Sequence, residues 1–74
     1  MTPMDDYEEL KKLGIRIKQL RLEKGLTELD LTEAIDESQE YIASIEAGTC
    51  NLYMTEIGAL ARALGVRISE LFPK

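Results

Sequence analysis

Leu10, Leu13, Ile17 and Leu20 recur at intervals of three and four, which puts them on one face of an amphipathic helix. Gly25, directly after Lys24, supplies the residue that takes a left-handed conformation at a helix end, so the pattern predicts a first helix over roughly Asp5–Lys24. Thr27 stands three residues before Asp30, a spacing like that of a capping box, and predicts a short second helix that buries Leu31, Ala34 and Ile35. The pattern breaks at Asp36-Glu37. Ser38 is a good N-cap for a third helix with Tyr41, Ile42 and Ile45 facing inward and Gly48 closing it. TCNLYM then reads as an extended connector. Thr55 is expected to cap a fourth helix with Ile57, Leu60, Ala61 and Leu64 on one face and Gly65 at its end, and Pro73 stops a final turn over Ser69–Phe72. Neither strand alternation nor an internal repeat competes with this pattern. The expectation is an all-α domain of four to five helices over residues 10–73, preceded by an acidic N-terminal extension at 1–9 that leads into helix 1.

Composition narrows the class further. A chain of 74 residues has room for one domain, near the lower limit at which an apolar core holds a fold without staples. Leu, Ile and Ala dominate its 45% hydrophobic content, with one Phe, three Tyr and no Trp. Cys50 is the only cysteine and histidine is absent, which excludes an internal disulfide and leaves a zinc site one sulfur and no nitrogen. A reducing, cytoplasmic setting follows, with Cys50 a bystander thiol that no neighbouring base activates. No apolar run approaches the roughly 18 residues of a membrane span, and MTPMDDYEEL is acidic where a signal peptide is basic and then apolar. Without histidine or a glycine-rich phosphate loop, catalysis has no support; no enzyme activity, metal or cofactor is expected.

Net charge is −5, and its distribution carries more than its total. Residues 1–10 hold four acids and no base. Residues 11–24 hold six bases (Lys11, Lys12, Arg16, Lys18, Arg21, Lys24) against Glu23, and residues 25–48 hold seven acids against no base at all. One basic stripe is thus followed by a long acidic segment. Part of the stripe is expected to balance the acidic N-terminus through i,i+4 pairs such as Glu8 with Lys12.

The run LGIRIKQLRLEKGLTELDLTEAIDESQEYIASIEAG, followed by NLYMTEIGALARALGVRISELF, resembles the Cro/repressor-type (XRE-like, Cro/C1-type) helix-turn-helix transcriptional regulators over about residues 13–72. Arg21, Gly25, Leu26, Thr27, Leu31, Ile42, Ile45, Glu46 and Gly48 match that family's pattern. The short length and the ending Leu-Gly-Val…Glu-Leu-Phe look most like the controller proteins of restriction-modification systems. The resemblance implies a homodimer on an inverted-repeat operator in double-stranded DNA. It assigns base reading to Ser38, Gln39, Glu40, Ala43 and Ser44 on the exposed side of helix 3, which would enter the major groove. It assigns DNA-backbone contacts to Lys11, Arg16, Lys18, Thr27, Glu28, Tyr41, Thr49 and Asn51, and a structural ion pair to Arg21 and Glu46. Val66, Ile68, Leu71 and Phe72 exceed what a short terminal segment buries, and are assigned to the dimer interface because half-sites one helical turn apart require two linked readers.

The departures from the family pattern fall where its members touch DNA. Glu28 replaces the usual Gln at the start of helix 2, Thr32 the Ala of a Leu-Ala pair, Asp36 the turn glycine, and Thr49 and Cys50 the basic residues that often follow Glu-x-Gly. A carboxylate about 4 Å from a phosphate is repelled by roughly 1 kcal/mol in bulk water and about 4 near a protein surface. Nonspecific DNA binding supplies only about 5–8 kcal/mol, so two or three misplaced glutamates are enough to cancel it. Correct base pairing adds about 1–3 kcal/mol per good contact, because Glu accepts from cytosine and Gln pairs with adenine. The alternative is an acidic protein-interaction module of the same fold that has lost DNA binding or mimics DNA charge and meets a basic protein partner.

Overall fold

The computed structural model describes residues 7–72, which form four α-helices and a closing 3₁₀ turn. These are α1 (Tyr7–Glu23), α2 (Glu28–Ile35), α3 (Gln39–Ala47) and α4 (Met54–Leu64), with the 3₁₀ turn at Ile68–Leu71. The six residues before Tyr7, which include the first two expected of helix 1 and most of the acidic extension, lie outside the described part, as does Pro73. Residues 7–9 belong to α1 itself.

Local chemistry explains most boundaries. Thr27 and Asp30 form a reciprocal capping box: the Thr27 hydroxyl accepts the Asp30 N–H at 3.0 Å, and the Asp30 carboxylate accepts the Thr27 N–H at 2.9 Å. Ser38 caps α3 by accepting the Tyr41 N–H at 3.1 Å. The fourth helix begins earlier than its sequence pattern indicates. Its N-cap is Tyr53, not Thr55, because Glu56 reaches back to accept the Tyr53 N–H at 3.0 Å. A carboxylate three residues into the helix here outweighs the better intrinsic capping of a threonine.

The core draws on every element: Leu10, Leu13, Ile17 and Leu20 from α1, Leu31 from α2, Ile42 and Ile45 from α3, Ile57, Leu60, Ala61 and Leu64 from α4, and Leu71 from the 3₁₀ turn. Two side chains depart from expectation. Ala34 is exposed, because α2 is only two turns long and its buried line passes through Leu31 and the half-buried Ile35. Leu52, in the connector read as extended chain, is buried and belongs to the core.

Helices α1 and α3 approach almost to backbone contact. A Cβ at Gly14 would fall against the carbonyl oxygens of Ile45 and Glu46, so only glycine permits this crossing. Gly48, in a left-handed conformation (φ 74°), ends α3 with its N–H donated to Ile45 O at 3.0 Å, while Thr49 N–H reaches Ser44 O at 3.0 Å. A side chain at Gly48 would meet the Lys11 backbone within 3 Å.

Candidate nucleic-acid interface

The α2–turn–α3 unit is held to α1 by a buried ion pair. The Arg21 guanidinium donates to both carboxylate oxygens of Glu46, at 2.7 and 3.2 Å, and to the carbonyl of Leu26 at 2.9 Å. The hydrogen bonds to Glu46, with further attraction from Glu46 and Glu28, hold Arg21 above its ordinary pKa despite burial. A forked, three-bond guanidinium of this kind fixes orientation as well as charge. Among the described residues no buried side-chain polar atom is left without a partner.

With α3 fixed in this way, the side turned to solvent carries Gln39, Glu40, Ala43 and Ala47, all exposed. Three residues read as base contacts from sequence lie on this stripe: Gln39, Glu40 and Ala43. Ser38 is exposed, but its oxygen is engaged in capping Tyr41 N–H. Ser44 is half-buried and returns its hydroxyl to the Tyr41 carbonyl at 2.7 Å. Ala47 extends the stripe by one turn and was absent from the sequence-derived set, though its spacing of four from Ala43 marks it.

The turn before α3 is built on Asp36, whose backbone is left-handed (φ 56°, ψ 49°) at the C-cap of α2. Glu37 N–H closes the turn on Thr32 O at 3.1 Å. At the other end of α2 the first amides point outward as in any helix, and a phosphate would be drawn to them. Glu28 and Asp30 already place two carboxylates in that first turn. The Thr27 hydrogen bonds hold the Asp30 carboxyl below its ordinary value of 3.8, so it stays anionic. Thr32 donates to the Glu28 carbonyl at 2.8 Å.

Cations of α1 fall on two different sides. Lys11 lies against Gly48 at the end of α3, and Lys18 shares the stripe of Lys11, Gly14 and Arg21 that borders α3. Arg16 is elsewhere: its Nε donates to the Glu70 carbonyl at 2.8 Å, and with Lys12 it lines a groove beside Leu71 and Phe72. Read from sequence as a DNA-backbone contact, Arg16 is thus set apart from Lys11 and Lys18. Lys12 pairs with Glu9 at 3.5 Å, an exposed i,i+3 contact.

Two more of these residues are engaged inside the fold. The Tyr41 hydroxyl, read as a backbone contact, is bonded to the Glu56 carboxylate on α4. Leu71, read as a dimer contact, is 1% exposed and belongs to the core, since the 3₁₀ turn folds it back under α1 and α4. Of the other three in that group, Ile68 is 39% exposed and Val66 and Phe72 are half-buried. Thr49 gives its hydroxyl to the Ser44 carbonyl at 3.2 Å, and Asn51 is exposed in the connector. Glu56 was missed altogether. Its signal was its place three residues after Tyr53.

Two closely spaced helices, a left-handed turn between them and a bare stripe on the second define a helix-turn-helix architecture. The helix-turn-helix family model matches residues 17–71, and the chain belongs to the Cro/repressor-type helix-turn-helix family of transcriptional regulators. It is 37% identical over 59 residues to the immunity repressor protein of Bacillus phage phi105, a match covering 80% of this chain and 41% of the repressor. The chain thus spans less than half of that relative's length. The crystal structure of the restriction-modification controller protein C.AhdI from Aeromonas hydrophila superposes with a TM-score of 0.85 at 35% identity, covering 89% of this chain and all of that one. The controller protein C.Esp1396I, solved as a tetramer in complex with its natural 35-base-pair operator, gives a TM-score of 0.76 at 28% identity over 93% of this chain and 100% of that chain. No described helix is long and apolar enough to cross a membrane.

Proposed function

We propose that this protein is a sequence-specific DNA-binding transcriptional regulator that acts as a homodimer on an inverted-repeat operator. The observation that carries the proposal is the bare stripe Gln39, Glu40, Ala43 and Ala47, presented on a helix locked from behind by Arg21–Glu46 and by Gly14. A helix fixed on its inner face and free along its outer one has the shape that enters a major groove. Gln39 and Glu40 supply the hydrogen-bonding groups for base edges, Ala43 and Ala47 the close apolar approach. Lys11, Lys18 and the amides at the start of α2 hold phosphates; Asn51 and Thr49 border the same side. Ile68, with Val66 and Phe72, forms the two-fold contact that sets the half-site spacing.

Family membership and the operator complex of C.Esp1396I support this reading. A second reading draws on the seven acids and no base between residues 25 and 48: the same face meets a basic protein instead of DNA. Gel-shift titration at two salt concentrations, using a duplex enriched from a random pool, separates them. The DNA reading requires measurable binding at low salt, a slope shallower than that of a basic reader, and tighter binding when Glu28 and Glu37 are both changed to Gln. Binding that emerges only in the doubly changed protein supports the interaction module. No binding by either form, from a folded dimer, ends the DNA reading.

A further inference from the structure

Helix α3 packs on α1 and α2, and α4 packs on α1 and α2, but α3 and α4 share no broad contact. A side-chain hydrogen bond joins them. Glu56, half-buried in the first turn of α4, accepts the Tyr53 N–H at one carboxylate oxygen and the Tyr41 phenol at the other. Tyr41 is in turn bonded through its whole backbone, its N–H to the Ser38 hydroxyl and its carbonyl to the Ser44 hydroxyl. The phenol therefore transmits position directly to the first half of α3, where Gln39 and Glu40 stand. Packing leaves room around it: Ile35, Tyr41, Glu56 and Leu60 border a cavity of about 50 Å³. The ring packs against the core on one side and meets free space on the other, so its hydrogen bond completes an orientation that packing alone leaves loose.

Arg21–Glu46 and Gly14 pin the last turn of α3, and we infer that Glu56 is a positioning residue for its first turn, setting the tilt of α3 against α4 through Tyr41 and thereby the discrimination among DNA sequences. The part concerning DNA rests on the function proposed above. The chemistry is specific to a side chain of this length with two polar atoms at its end. Asp is one methylene short of bridging both partners. Gln keeps an acceptor for the Tyr53 N–H and offers its amide to the phenol, which rotates to accept.

Residual dipolar couplings of the DNA-free chain test the positioning. Tyr41→Phe and Glu56→Ala should each rotate α3 relative to α4, whereas Glu56→Gln should keep the native orientation. Thr27→Ala, which removes the α2 cap, should lose stability without rotating α3. Titrations with the enriched duplex and a scrambled one supply the second readout. The specific-to-scrambled affinity ratio should fall about tenfold in Tyr41→Phe and Glu56→Ala and be retained in Glu56→Gln, as expected when one base contact loses alignment. Unchanged couplings in Tyr41→Phe overturn the inference, and this conservative variant decides even where Glu56→Ala does not fold. Rotation with an unchanged ratio also overturns it, because the tilt would then not govern reading. A wild-type chain that binds neither duplex removes the DNA reading, while the couplings still decide what Glu56 positions.

Discussion

Asp36 holds a left-handed backbone in the turn between α2 and α3, and a β-carbon there is strained by about 1–2 kcal/mol in an ordinary L-residue. Asp36→Gly relieves that strain but frees the unfolded chain by about 0.4–1 kcal/mol, so the net gain should be about 0.5–1 kcal/mol. A higher urea midpoint at unchanged m-value checks it; a lower midpoint refutes it. The same substitution removes a carboxylate from the turn ahead of α3 and should tighten duplex binding. Asp30 carries a pH signature. Its folded pKa lies below the ordinary 3.8 because the Thr27 amide and hydroxyl bond its anion. The stability it contributes is complete above that ordinary value and disappears as pH falls through the lower, folded one. Acid titration of Asp30→Asn should therefore show a flatter loss of stability below about pH 4 than the parent chain.

At the scale of elements, two glycines in helices should respond oppositely to alanine. At Gly14 the added methyl collides with α3 carbonyls that cannot retreat without breaking the Arg21–Glu46 pair, so Gly14→Ala should cost about 3 kcal/mol or more. At Gly58 it would meet Arg62 and Ile68 at 3.6 and 3.9 Å, ordinary contact distances, and helix propensity should raise stability by about 0.5–1 kcal/mol. Thermal denaturation of the two variants side by side tests both. The helices themselves were legible in the sequence because apolar residues at three and four, Gly25, Gly48, Gly65 and the Thr27–Asp30 spacing act locally. What stayed hidden depends on partners far along the chain. Leu52 lies in a short irregular connector, so no periodicity marks it as core. Arg16 and Lys18 look equivalent until the 3₁₀ turn is docked, when one meets Glu70 and the other borders α3. Tyr41 and Glu56 are 15 positions apart on helices that share no broad backbone contact.

For the whole molecule, charge acts in two directions. The acidic run over α2 and α3 repels itself as well as any polyanion, each close like-charged pair costing a few tenths of a kcal/mol. Raising salt from about 0.05 to 0.5 M should therefore stabilise the free protein by about 1 kcal/mol, roughly 4–8 °C in Tm, while weakening its grip on a duplex. Calorimetry and gel shift over the same salt series test the pair of signs; a Tm that falls with salt contradicts the electrostatic account. The bare stripe of α3 has a consequence for how such a protein changes over time. Gln39, Glu40, Ala43 and Ala47 project away from the bonds and packing that secure their helix, so substitution at these four places leaves folding largely untouched. A descendant could exchange one target sequence for another there by point changes alone, with the scaffold inherited intact.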